Sequence, residues 1–150
     1  MTKEKEIIYN LRILDIKVVR FSQFELFEKF NSELFPLVEY QTQFDFKVTE
    51  EEEKITSVVT VKIKFIETNE YFAELIVETS FFVSPINAIV TKNENGKYDV
   101  KGIVLYNIAS VSISTIRGIL FEKLKGSVIQ KEIYPLADLS QMFLNENAVK

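Results

Sequence analysis

Four stretches of the chain alternate apolar and polar residues with a period of two, and this pattern constrains the fold more than any other feature. "LVEYQTQFDFKV" sets Val38, Tyr40, Phe44, Phe46 and Val48 on one side, with Thr42 among them, and Glu39, Gln41, Gln43, Asp45 and Lys47 on the other. "ITSVVTVKIKF" opposes Ile55, Val59, Val61, Ile63 and Phe65 to Thr60, Lys62 and Lys64. "YFAELIVETSFFV" opposes Tyr71, Ala73, Leu75, Val77, Phe81 and Val83 to Glu74, Glu78 and Ser80. In "NLRILDIKVVRF" the alternating set is Leu14, Ile16 and Val18 against Asp15 and Lys17. Successive side chains of a strand point to opposite faces, so the four runs predict an antiparallel sheet with one face covered and one wet. "TEEEEK" joins the second run in chain order to the third, and "IETNEY" the third to the fourth, both with hairpin-length connections. The acidic tract Glu50–Glu53 falls on the first of these, where adjacent carboxylates read as a solvated tip rather than a metal or acid–base site.

After Pro85 the period changes. "NENGKYDVKG" is turn chemistry, with Asn95-Gly96 its strongest signal. From Val104 to Lys123, Ile108, Val111, Ile116, Ile119 and Leu120 recur at three- and four-residue intervals, which predicts a helix about 30 Å long. Leu105, Ile113 and Phe121 widen its apolar stripe, so it is expected to be covered on two sides, by the sheet and by a partner subunit. Ser110, Ser112, Ser114 and Thr115 either admit a second helix or pack against the sheet. Gly126 ends this helix, "SVIQKEIYP" must then lie on the body of the protein, and "LADLSQMFLNENA" forms a last helix with Leu136, Leu139, Met142 and Phe143 on one side. Between the first two strands, "SQFELFEKFNSELFP" spaces Phe24, Phe27, Phe30, Leu34 and Phe35 ahead of Pro36. It reads as a short helix or covering loop, or as an aromatic surface offered to a ligand. No repeat or second domain interrupts residues 1–150, which are read as one domain.

Composition removes whole classes of chemistry. With no histidine and no cysteine, imidazole and thiolate metal sites, disulfides and histidine-assisted nucleophiles are unavailable. Carboxylates, lysines and tyrosines remain, but no constellation of them nominates an active centre, and the expectation is a protein that is not an enzyme and needs no cofactor. A net charge of −4 provides no basic field for nucleic acid. Neither a Walker-type loop nor GxGxxG is present. Asp15 reads as a polar-face residue beside Lys17, and Arg117 as a cap on the helix–sheet seam. The charged N-terminus lacks a signal-peptide core, and no apolar run approaches the ~20 residues that span a bilayer, so a cytoplasmic protein without membrane insertion is expected. Thirteen phenylalanines exceed what a small core demands, so some of them are expected to face a partner.

The run "LYNIASVSISTIRGILFEKLKGSVIQKEIYPLADLSQMF" resembles the SecB family of protein-export chaperones, in particular its SecB-like branch. The shared features are a long helix carrying "STIRGIL", a break at Lys125-Gly126-Ser127, an apolar crossover, and "YPLADLSQMF" opening the last helix. "FAELIVETSFFV" looks like the family's final strand. Where the usual family helix begins with an aromatic-proline pair and its break carries Gly-Gly-Phe-Pro, this chain has Tyr106-Asn107 and Gly126-Ser127-Val128-Ile129. The resemblance implies an α+β fold: a four-stranded antiparallel sheet followed by a long helix, a crossover loop and a short C-terminal helix. It implies an ATP-independent holdase for unfolded polypeptide, a homotetramer built as a dimer of dimers, with the export motor SecA or a toxin–antitoxin antitoxin as candidate partners. By position it puts client grooves on Val128, Ile129, Ile133, Tyr134, Leu136, Leu139, Met142 and Phe143, with Phe44, Phe46, Phe81 and Phe82 on the sheet side. The oligomer surface falls on Leu105, Ile108, Ser112, Thr115 and Ile119, and a translocase would dock near Glu74 and Glu78. The competing expectation is a carrier of a small apolar ligand, held in a cavity between sheet and helix.

Overall fold

The structure is a computed structural model that describes residues 8–24, 37–129, 132–135 and 138–144. Phe27, Phe30, Leu34, Phe35 and Leu136 lie outside the described residues. Four long strands, β1 (Asn10–Gln23), β2 (Val38–Thr49), β3 (Lys54–Phe65) and β4 (Tyr71–Ser84), form an antiparallel sheet in the order β1-β4-β3-β2. Glu50–Glu52 make one 3-10 turn between β2 and β3, closed by Glu53 in the left-handed region (φ 47°). A short helix α1 (Ile86–Ile89) and a small hairpin, β5 (Val90–Lys92) and β6 (Tyr98–Val100), precede α2 (Gly102–Lys123), and α3 (Ser140–Phe143) follows. The sequence pattern marks only the turn of that hairpin. There Asn93 Oδ1 accepts the amides of Asn95 and Lys97 at 3.0 Å each, and Gly96 takes a positive φ of 76°. Strands of three residues are too short to register as a periodicity.

Strand register separates the two faces of the sheet. Val48, Phe46, Phe44, Thr42 and Tyr40 of β2 stand opposite Ile55, Ser57, Val59, Val61 and Ile63 of β3, and these face the helix layer together with Phe81, Thr79, Val77, Leu75 and Ala73 of β4. β1 departs from the simple alternation. Leu14 and Val19 have no paired partner, and each bulge advances the side chains by one position. Consequently Leu11, Ile13, Ile16, Val18 and Phe21 share the helix-side face, since they stand opposite Val83, Phe81, Thr79, Val77 and Leu75. The expected grouping of Leu14 with Ile16 and Val18 is corrected by the first bulge.

α2 packs on the middle of the sheet through Val104, Ile108, Ala109, Ser112, Ile113, Ile116 and Leu120. Against Val59, Val61, Val77 and Leu75 this contact excludes solvent almost completely. Its buried polar residues among those described are Ser57, Thr79 and Ser112; the Ser112 hydroxyl lies 2.8 Å from the Ile108 carbonyl and 3.0 Å from Ser57 Oγ, so both serines are paired. A helix about 10 Å across cannot cover four strands spaced ~4.8 Å apart. The returning chain after α2 covers the β2 flank, whereas Ile13, Ile16 and Val18 on the β1 flank keep 40–45% of their surface exposed. By length and composition α2 also meets the criterion for a membrane span, which the absence of a long uninterrupted apolar run had argued against. Here it serves as the core helix of a sheet.

Candidate functional site

The site is built where the chain comes back along α2. Leu124 closes the helix by donating its amide to the Leu120 carbonyl at 2.9 Å, and Gly126 reverses direction in the left-handed region (φ 80°). Beyond it, Ile129, Tyr134 and Leu139 drop into the core between α2 and β2, while Val128, Ile133 and Met142 point outward with 55%, 59% and 51% of their surface exposed. Tyr134 is the central attachment. Its hydroxyl is hydrogen-bonded to Thr42 Oγ1, and its ring meets Tyr40 edge-on at 5.1 Å between centroids. Arg117 donates from Nε to the Tyr134 carbonyl at 3.0 Å and from Nη2 to that of Pro135 at 3.4 Å. The arginine expected at the helix–sheet seam therefore secures the crossover instead.

At the far end, α3 reaches the start of α2. Gly102 lets the two backbones meet: a Cβ there would stand 2.1 Å from the Phe143 carbonyl oxygen. This approach places Phe143 edge-on to Phe44 and Phe46, with centroids 5.8 and 5.9 Å away, over rings that are themselves stacked at 6.1 Å. All three are only half-buried. The alternation of β2 puts Phe44 and Phe46 on one face, and α3 supplies the third ring, giving a half-buried cluster of three aromatic rings.

Burial distinguishes the remaining candidates. Phe81 is completely buried in the core and cannot be reached from outside. Phe82, its neighbour in sequence, must point to the opposite face, where the Arg12 guanidinium lies 5.3 Å from its ring centroid. Ile129, Tyr134 and Leu139 form the floor beneath the crossover rather than its surface. On α2, Ile108 and Ser112 are turned into the chain's own sheet, which corrects their placement on the oligomer surface. Leu105, Thr115 and Ile119 are half-buried, and the Thr115 hydroxyl donates to the Val111 carbonyl at 2.9 Å. Ser114 and Gly118, one turn apart, are exposed, flanked along the helix by exposed Ile103 and Phe121. An open recess of about 420 Å³ lies along Ser110, Val111, Ser114 and Thr115.

The solvent face of the sheet carries Arg12, Lys17, Arg20, Lys47, Lys54, Lys62 and Lys64 against Asp15, Glu39, Asp45, Glu74 and Glu78. Glu74 is ion-paired to Arg20 at 3.7 Å and to Lys62 at 4.0 Å, and Glu78 stands opposite Lys17. The polar face expected to receive a translocase near Glu74 and Glu78 thus carries both signs of charge, with basic side chains outnumbering acidic ones. In the acidic turn, Glu53 has a structural task that the sequence did not reveal: its Oε2 accepts the Ile86 amide at 3.2 Å and its carbonyl the Val83 amide at 2.8 Å. Among the described residues no cluster of three or more acidic side chains is placed to hold a metal ion. The most perturbed ionisable group near the crossover is Tyr40, whose pKa rises from 10.0 to about 12 through burial, reinforced by the Glu132 carboxylate.

No protein-family model matches this chain, and no curated protein is similar to it. Among solved structures it is similar to a SecB-like chaperone of Mycobacterium tuberculosis, determined in complex with a ChAD peptide from an antitoxin. The two share 8% identity and superpose with a TM-score of 0.59 over 85% of this chain and 90% of that one. A protein of unknown function from Streptococcus agalactiae, 7% identical, aligns over 88% of this chain and 99% of its own, but with a TM-score of 0.41 that is too loose to add to the assignment. The chain has the SecB-like α+β fold, so the resemblance carried by its C-terminal third extends to the arrangement of sheet, helix, crossover and last helix.

Proposed function

We propose that this protein is a cytoplasmic, ATP-independent holdase that binds extended segments of unfolded polypeptide, and that it has no enzymatic activity. The observation that carries this reading is the half-buried aromatic surface of Phe44, Phe46 and Phe143 beside a crossover that turns Val128, Ile133 and Met142 outward, within a SecB-like fold. Shallow apolar surface of this kind suits a client recognised by side-chain hydrophobicity rather than by one sequence. Covering ~100 Å² of it contributes about 2.5 kcal/mol before ordering costs, so one groove binds weakly and several linked grooves bind well. A tetramer supplies that multiplicity. Among the described residues the surface offered to self-association is the exposed middle of β1, Ile13, Ile16 and Val18, together with the outward side of α2 around Ser114 and Gly118.

The similar mycobacterial chaperone was solved with an antitoxin peptide, and an antitoxin is a fitting client here. Docking of SecA through Glu74 and Glu78 is disfavoured, because the ion pairs to Glu74 and the surrounding lysines leave no acidic field for a basic partner. A carrier of small apolar ligands is disfavoured by the dense contact between α2 and the sheet, where Val59, Val61, Val77 and Ile116 are all at most 1% exposed. The decisive experiment is suppression of aggregation of a chemically denatured model client without ATP. Substoichiometric tetramer is expected to delay aggregation, and Phe44→Ser with Phe143→Ser to abolish the delay while the far-ultraviolet circular dichroism stays unchanged. Normal aggregation at a molar excess of the wild-type protein would overturn the proposal.

A further inference from the structure

The Asn95-Gly96 pair in the β5–β6 turn plays no part in the client-binding surface, and it combines two properties. As chemistry, it is the one place in the sequence where an asparagine precedes a glycine. Glycine has no Cβ to shield its amide nitrogen, so that nitrogen can reach the side-chain amide carbon of the preceding residue. Little else shields it here. Both residues are exposed, and a Cβ on Gly96 would meet only Lys92 Cε, at 3.9 Å, among the described residues. As structure, the same pair is held in place by Asn93. The Asn93 carbonyl accepts the Gly96 amide at 3.0 Å, and its Oδ1 accepts the amides of Asn95 and Lys97 at 3.0 Å each. Its own amide donates to the Lys97 carbonyl at 2.7 Å. A Gly96 amide whose proton is engaged, in a turn fixed by bonds that all involve Asn93, is a poor nucleophile until the turn opens.

We infer that Asn95 is a site of spontaneous deamidation and that Asn93 is the positioning residue that sets its rate. The Gly96 nitrogen bonds to Asn95 Cγ, the Cγ–Nδ2 bond breaks, and ammonia leaves with the proton from Gly96. Water then opens the succinimide ring at either carbonyl. Water is consumed, ammonia is released, and nothing is oxidised or reduced. One opening leaves aspartate. The other leaves isoaspartate, whose backbone runs through the side chain and is longer by a methylene. Either product adds one negative charge. In isoaspartate the extra methylene falls inside the rings closed by the bonds of Asn93 to Gly96 and Lys97, so the hairpin cannot keep them. The damage is carried to the start of α2. Val90 stands opposite Val100, the Lys101 amide donates to the Ile89 carbonyl at 3.1 Å, and Ile89 and Val90 are buried in one cluster with Val104 and Ile108.

The test incubates the full chain at mildly alkaline pH, folded and in concentrated urea, and follows it by tryptic digestion. Cleavage after Lys92 and Lys97 releases Asn93–Lys97, whose asparagine, aspartate and isoaspartate forms are separated by chromatography and located by fragment mass. Asn95 is expected to react ahead of every other asparagine, and about tenfold more slowly in the folded protein than in urea. Asn93→Ala is expected to speed the folded-state reaction roughly three- to tenfold and to leave the rate in urea unchanged. Asn93→Asp, which keeps the Oδ1 acceptor, is expected to stay slow. Amide exchange of residues 98–101 is expected to rise in the isoaspartate form and to stay constant in aged Asn95→Gln, which closes the ring poorly. Modification spread evenly over several asparagines overturns the site. Equal rates in folded and unfolded chains, or an unchanged rate in folded Asn93→Ala, overturn control by the hairpin; the first comparison needs no variant and stands even if Asn93→Ala does not fold. Unchanged exchange in the isoaspartate form overturns the link to α2.

Discussion

At the scale of single residues, neighbours in sequence have opposite fates for reasons of backbone geometry alone. Phe81 and Phe82 are adjacent in β4, so they cannot share a face, and the alternation already assigns Phe81 to the core. On α2, Ile108 and Ser112 stand one turn apart and sink together into the sheet. The apolar stripe of this helix is widened by Leu105, Ile113 and Phe121, so only the position of the sheet decides which part of it is buried. Gly102 is the residue with the least freedom. Gly102→Ala is expected to push α3 off α2 and destabilise the fold by about 1–3 kcal/mol, the usual cost of forcing atoms into filled space. Urea unfolding checks the energy, and a rise in dye binding at the uncovered Phe44–Phe46 surface checks the cause. Tyr40 supplies a pH prediction. Its folded-state pKa, about 12, lies above the ordinary tyrosine value of 10.0, so its stabilising contribution is intact below pH 10 and is lost as pH rises through about 12. Tyr134 is shifted in the same direction, chiefly by burial. The urea midpoint is expected to fall across this window, and less steeply in Tyr40→Phe; an identical slope in the variant would locate the loss elsewhere.

At the scale of elements, β1 and α2 explain each other. A single helix covers the two central strands and the crossover covers β2; on the helix-side face of β1, Leu11 and Phe21 pack against the core at either end, while among the described residues the middle of the strand, Ile13, Ile16 and Val18, stays 40–45% exposed. The two bulges of β1 place Ile13, Ile16 and Val18 on that face and Arg12, Asp15, Lys17 and Arg20 on the other. Bulges and charges along an edge also discourage pairing with stray strands, so the apolar side chains rather than the backbone edge are what this flank offers. Ile16→Thr with Val18→Thr is therefore expected to cost the isolated fold less than about 1 kcal/mol, because both residues are nearly half exposed, yet to shift the oligomer toward smaller species in sedimentation velocity. Val77→Ala, at a site 1% exposed, is expected to cost roughly 1–3 kcal/mol in urea unfolding. Equal costs for the two sets, or an unaltered oligomer in the first, would remove β1 from the self-association surface.

At the scale of the whole molecule, the prediction is one of assembly: light scattering is expected to give about four times the 17.4 kDa chain mass, and a clean monomer would withdraw the multiplicity on which tight client binding depends. The antiparallel sheet, the long helix from near Val104 to Lys123, the break at Gly126 and the exclusion of histidine- and cysteine-based chemistry are all legible in the residue order, because periodicity, turn residues and composition are local properties. Their junctions were not legible. The bulges at Leu14 and Val19, the task of Glu53, the grip of Arg117 on the crossover and the third ring that Phe143 adds to Phe44 and Phe46 each join residues far apart in the chain. Which apolar residues remain open to a partner is settled by packing alone. A helix is too narrow for four strands, so what stays uncovered depends on where the helix and the returning chain come to rest.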